Sequence, residues 1–171
     1  TVESRPDRFK AFATLPMSAP QQAVVELRRA VEELGFVGTM IHGQTNGIFL
    51  DDPSVRPILA CAEQLDVPIY LHPAPPPPAV HDAYYSGLDD DVAAALATAA
   101  WGWHAECGMH VLRMVVGGVF ERYPGLRVIV GHMGEQSGAV YKITIGRDDL
   151  KMSEMGAPIN ARMGLNTWAA F

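Results

Sequence analysis

Only two cysteines occur, Cys61 and Cys107, and neither belongs to a CxxC pair. Neither a disulfide framework nor a structural zinc site is indicated, and a reducing, cytoplasmic setting is the expectation. Positive charge is also scarce: 13 Lys and Arg stand against 19 Asp and Glu, for a formal net charge of −6. That balance disfavours nucleic acid or an anionic membrane as the main partner. The longest helical apolar patch, residues 92–103, is too short and too rich in alanine for a membrane span, and no signal-like stretch opens the sequence. A GxSxG elbow, a Walker sequence, a GxGxxG turn and a basic stripe are all missing, so serine nucleophile chemistry and nucleotide binding have no support.

What remains is a composition of 49% hydrophobic and 19% charged residues over 171 positions, which suits one globular domain with a sizeable core. Short apolar runs alternate with helical patterns. Residues 8–15 have strand character. Residues 19–34 place Ala23, Leu27, Ala30, Val31 and Leu34 at the spacing of one buried helix face, which Gly35 ends. Residues 36–41 return as a strand, and Asp52-Pro53 supplies an N-cap with proline at the first helical position for a helix to about Gln64. Residues 67–71 form the next strand. A stiff loop is expected through the four prolines 75–78. Helices over 90–104 and 106–122, a strand over 126–130 and a helix over 136–150 complete the pattern, with residues 155–163 reading as loop.

Alternation of this kind calls for right-handed βαβ units and a parallel sheet or barrel, with strands covered on both faces. About four such units are half of a (β/α)8 barrel, so on pattern alone an open doubly wound sheet fits the length better. The chain starts without methionine and stops within an apparent element, which reads as processing or as an excerpt of a longer polypeptide.

Two of the strands run into a histidine, Val67-Pro-Ile-Tyr-Leu-His72-Pro73 and Leu126-Arg-Val-Ile-Val-Gly-His132-Met-Gly-Glu135. In parallel α/β architectures ligands sit beyond the carboxyl ends of the strands. A neutral imidazole there can hold a divalent ion or move a proton; it can equally cap the strand by bonding to backbone. His72, before a rigid loop, has the placement of a metal ligand, but one histidine cannot hold an ion and the other ligands must lie elsewhere. Glu135 can fold back onto a nitrogen of His132 and raise its basicity, or it can serve only as a first-turn acid favoured by the helix dipole.

His42 follows the strand ending at Ile41, and Gln44 in the following loop offers an amide, so both are candidates to line a substrate pocket. His104-Ala-Glu-Cys-Gly-Met-His110 is not an HExxH motif, because its histidines do not share a helix face. His104 is read as approaching the pocket from a helix start, and His110 and Arg113 as helix residues bonding to neighbouring loops. Trp101 and Trp103 fit the core or a pocket wall, the core being the better reading. His81 is expected to be exposed, and Gly117-Gly118 to permit close helix packing.

Glu26-Leu-Arg-Arg-Ala30, Gly35-Phe-Val-Gly38, Leu50-Asp-Asp-Pro53, Asp66-Val-Pro-Ile-Tyr-Leu-His-Pro73, Phe120-Glu-Arg-Tyr-Pro-Gly-Leu126 and Gly131-His-Met-Gly-Glu135 together resemble the amidohydrolase-2 family. Within it the resemblance is to aromatic-acid decarboxylases of the γ-resorcylate and 2,3-dihydroxybenzoate type, and more distantly to aminocarboxymuconate semialdehyde decarboxylase. It runs over roughly residues 8–150. The resemblance implies a (β/α)8 barrel in place of the open sheet, with residues 1–171 a partial, single barrel domain. It implies His72 as a metal ligand, His132 as the catalytic histidine, Glu135 as its carboxylate partner, and one zinc or manganese ion. The family's N-terminal ligand pair and C-terminal aspartate have no counterpart here, and the Leu-Pro that commonly follows Glu135 is replaced by Gln136-Ser137.

The implied activity is nonoxidative decarboxylation of a hydroxylated aromatic or related unsaturated acid, with a homo-oligomer expected for the full-length protein. The alternatives are a lactonase-like hydrolase on the same scaffold and a catalytically incomplete fragment acting as a binding module.

Overall fold

The computed structural model describes residues 2–132, together with the backbone of Thr144–Ile145 and Leu150–Lys151. Four strands, β1 (Ala13–Thr14), β2 (Thr39–His42), β3 (Ile69–His72) and β4 (Val128–Val130), form one sheet in the order β1-β2-β3-β4 with every pair parallel. Chain order and spatial order coincide. A doubly wound sheet reverses its strand order at a switch point, whereas a barrel adds each strand beside the last, so the winding is of the (β/α) barrel type. The open-sheet alternative favoured by length is thereby corrected.

Helix α1 (Pro20–Glu32) forms where the pattern placed it, with Pro20 in the first turn and Ala23, Leu27 and Ala30 buried on one face. Its neighbour α2 (Arg56–Gln64) is preceded by a 3-10 turn over Pro53–Val55, whose start Asp52 caps by accepting from the Ser54 N–H at 2.8 Å. Between β3 and β4 come α3 (Pro78–Tyr85), α4 (Asp90–Ala95), α5 (Gly102–Val116) and the short α6 (Val119–Arg122). The principal core joins Leu27, Ile58, Leu59, Met114 and Val111 to the sheet residues Ile41, Ile69, Leu71 and Val128. Alternate sheet residues, Met40, Tyr70 and Ile129, point the other way and are only partly buried, so these strands are sealed on the helix side alone. Coverage of both faces, expected from the apolar runs, does not hold among the described residues.

Other departures have local causes. Pro78 does not extend the proline loop; it opens α3, where a missing N–H costs nothing. His81 accordingly lies half-buried in that helix, beside Asp82 and Tyr85, not in a loop. The expected break between helices at Ala105 falls instead at Trp101, after a wide turn over Leu96–Ala100 in which Thr98 leaves helical geometry. Gly118 adopts a left-handed φ of 69° and separates α5 from α6, so the glycine pair interrupts the helix it was expected to lie within. Strands at Thr144–Ile145 and Leu150–Lys151 pair antiparallel where a helix over 136–150 was expected; β-branched Thr144 and Ile145 favour the extended form.

Candidate active site

The parallel register sets His42 directly beside His72 at the carboxyl ends of β2 and β3, and β4 brings His132 just beyond its own last residue on the next strand. Three adjacent strands thus deliver three imidazoles to one edge. Ring centroids are 4.6 Å apart for His42 and His72, and 5.1 Å apart for His72 and His132.

The backbone around His132 is unusual. Gly131 donates to Leu71 O at 2.8 Å, and a Cβ there would stand 2.9 Å from Leu71 O and 3.1 Å from Pro73 Cδ, so only glycine fits. The next residue, His132, takes a left-handed φ of 51°. Such geometry is disfavoured for a residue with a Cβ by roughly 1–2 kcal/mol, and strain of this kind gathers at functional sites. Here it accompanies a ring set edge-on to His72 at an interplanar angle of 89°.

His72 is oriented by its neighbour. Its Nδ1 lies 2.6 Å from the Pro73 carbonyl oxygen, and a carbonyl can only accept, so Nδ1 carries the proton and Nε2 presents its lone pair. This is the backbone hydrogen bond that typically fixes a metal-binding histidine. His42 remains exposed, yet partial desolvation first and the adjacent His72 second pull its pKa below the ordinary histidine value. Its neutral form is therefore favoured, as a ligand or proton acceptor requires.

Helix α5 supplies the remaining wall. Trp103 sits edge-on to His132 at 5.6 Å and to His72 at 6.4 Å, and its buried indole Nε1 has no hydrogen-bond partner among the described residues. The core, the better reading for the tryptophans, holds for neither: Trp103 is only partly buried and faces the strand-end histidines, and Trp101 is 50% exposed. His104 approaches from the start of α5 as expected, 6.1 Å from His132, with Nε2 donating to Ala99 O at 3.1 Å. The amide oxygen of Gln44 accepts from the Gly47 N–H within its own turn, so the structure spends it on loop shape. Glu135 lies outside the described residues. Among those described, no group of three or more His, Cys, Asp or Glu is arranged to hold a metal ion. His72 Nε2 is the donor best prepared for one.

His110 and Arg113 bond to a neighbouring loop, as expected from their place in a helix. Cys107 is buried beneath the sheet edge, its thiol pushed up to about 12 by desolvation, and is inert. No helix among the described residues is long and apolar enough to cross a membrane.

Comparison with known proteins places these features in a wider setting. The Amidohydrolase family model matches residues 1–161. A decarboxylase of Emericella nidulans is 44% identical over 132 residues, covering 77% of this chain and 40% of its own length. The γ-resorcylate decarboxylase of Rhodococcus jostii is 42% identical over 141 residues, covering 77% and 41%. Among solved structures, a dihydroxybenzoic acid decarboxylase from Polaromonas with bound manganese and the inhibitor 2-nitroresorcinol superposes with a TM-score of 0.72 at 38% identity, covering 81% of this chain and 42% of the other. The chain spans about two fifths of the length of the curated relatives it matches.

Proposed function

The chain belongs to the amidohydrolase family, and we propose that it contributes the central part of a metal-dependent, nonoxidative decarboxylase acting on a hydroxylated aromatic acid. The observation that carries this reading is the convergence of His42, His72 and His132 on the ends of neighbouring parallel strands, with His72 Nδ1 bonded to the Pro73 carbonyl and His132 held in a strained turn. The decarboxylase relatives, and the manganese in the Polaromonas structure, support it.

His72 fits one divalent ion, manganese or zinc, through Nε2. The further ligands are assigned to the portions of the barrel that the relatives have and this chain does not span, where the eight-stranded closure also belongs. When bound, the ion would orient the substrate carboxylate and neighbouring phenolic oxygen and stabilise charge on them. The protein's own residues handle the proton. Direct loss of CO2 would leave a poorly stabilised aryl anion, so the ring carbon bearing the carboxylate must be protonated before the C–C bond breaks. His132, with Glu135 assigned as its partner, delivers that proton. The ring passes through a dienone, the electron pair of the breaking bond returns to it as CO2 departs, and the net change is carboxylate plus proton to arene plus CO2. Trp103 walls the ring's position and keeps water from it. His42 and His104 complete the rim, and Gln44 acts through the shape of its turn. A cytoplasmic homo-oligomer is the setting we assign.

The test is CO2 release by the complete, metal-loaded protein from a panel of phenolic acids beginning with 2,6-dihydroxybenzoate, beside ring opening of simple lactones. Release of CO2 supports the reading; lactone opening without CO2 replaces it with a hydrolase.

A further inference from the structure

We propose that His110 and Arg113 are positioning residues, holding the β2 loop (residues 43–52) in the shape that faces the site. This rests on the strand-end site being where substrate binds, as proposed above. Three consecutive loop residues are fastened to one face of α5. The Phe49 ring lies under the Arg113 guanidinium, 4.5 Å from Cζ to centroid, and edge-on to His110 at 5.0 Å. The Leu50 N–H donates to His110 Nε2 at 2.9 Å in a buried setting. Asp51 accepts a fork from Arg113, Nε to Oδ1 at 3.0 Å and Nη2 to Oδ2 at 2.9 Å. Gly117, a further turn along the same face, admits Asp51 closely: a Cβ there would be 3.0 Å from the Asp51 Cβ.

The loop's other end is tied to the site itself, since Gly43 donates to His72 O at 3.0 Å. Between the two anchors, Thr45 and Ile48 exchange backbone hydrogen bonds at 3.0 Å and Gln44 closes onto Gly47. The segment is a short span clamped at both ends, with little apolar burial of its own in residues 43–48. Its turn is closed by those internal bonds, and its placement is set by the clamps. One clamp hangs on α5, the helix that also carries Trp103 and His104, so the loop and that side of the site share one helix. His110 is 1% exposed and can accept from Leu50 only while Nε2 is unprotonated; Asp51 and Arg113 are the charged groups beside it.

The experiment uses the complete protein and compares wild type with His110→Leu, His110→Gln and Arg113→Met. Glutamine can place an acceptor oxygen near the position of Nε2; leucine cannot. Amide hydrogen exchange at Thr45, Gly47 and Leu50 should quicken in His110→Leu and Arg113→Met by about tenfold or more beyond any change at Leu59 in α2, and return toward wild type in His110→Gln. With 2,6-dihydroxybenzoate, KM should rise by about tenfold in the first two variants while kcat stays within about threefold. Loosening confined to Leu50, loosening equal at Leu59, or no rescue by glutamine overturns the proposal, as does a fall in kcat at constant KM. If wild type does not turn over this acid, the decarboxylase reading is what fails, and the exchange results decide the clamp alone. Should His110→Leu not fold, Arg113→Met carries the same expectations.

Discussion

Two kinds of histidine stand a short distance apart in this protein. At the strand ends, His42, His72 and His132 crowd together, with neighbouring ring centroids 4.6 and 5.1 Å apart. Behind them in α5, His110 is sealed from solvent and spends Nε2 on the Leu50 amide. The first group stands where parallel α/β folds place their ligands, beyond the carboxyl ends of the strands. The second has burial and a structural bond, and desolvation drives its pKa down to about 4. Residue type does not separate these roles. Placement does: the first group stands at the ends of parallel strands, whereas His110 lies buried in α5, its Nδ1 without a hydrogen-bond partner among the described residues.

The sharpest way to break the contrast is to remove one ring from each group. His132→Ala in the complete enzyme should cut kcat by about 100-fold or more, the usual contribution of a positioned proton-transfer group, with folding intact by circular dichroism. Stability should respond in the opposite order. His110 is neutral when folded and more readily protonated when unfolded, so the folded state binds fewer protons between its ordinary value of 6.5 and about 4. Its contribution is complete above pH 6.5, is lost as pH falls through that window, and amounts to roughly 3 kcal/mol from the size of the displacement. Denaturant unfolding across pH should show this loss in wild type and not in His110→Gln.

A smaller effect sharpens the same comparison. Arg113 is part-exposed in its fork with Asp51, so Arg113→Met should cost only about 1 kcal/mol in unfolding free energy. A loss as large as that from a buried core truncation such as Leu59→Ala, about 2–5 kcal/mol, would mean the clamp is principally a stability element.

Much of this was legible along the chain because it is local. The α1 periodicity, the Asp52-Pro53 cap and the Val-Ile strands are written in neighbouring residues, and the strand-end histidines follow from knowing where parallel strands place ligands. What was not legible depends on distant partners. Nothing near Trp103 says that it will meet His72 and His132 and not the core, although its place at the head of the helix after a strand-end loop was a usable signal. The left-handed turn at His132 depends on Gly131 packing against Leu71 and Pro73, and the clamp joins residues 49–51 to 110–117. The break at Trp101 and the entry of Pro78 into α3 are local in sequence but decided by packing. The parallel strand order β1-β2-β3-β4 gives the barrel-type winding that length alone had pointed away from.

The division of labour between His72 and His132 is the central claim, and metal content tests it most directly. Complete protein carrying His72→Ala or His132→Ala would be purified in parallel, loaded with manganese, desalted and analysed for bound ion. The account predicts that His72→Ala loses most of its manganese while His132→Ala keeps a wild-type amount and turns over about 100-fold or more slowly. Equal loss in both variants, or full retention in His72→Ala, would contradict it.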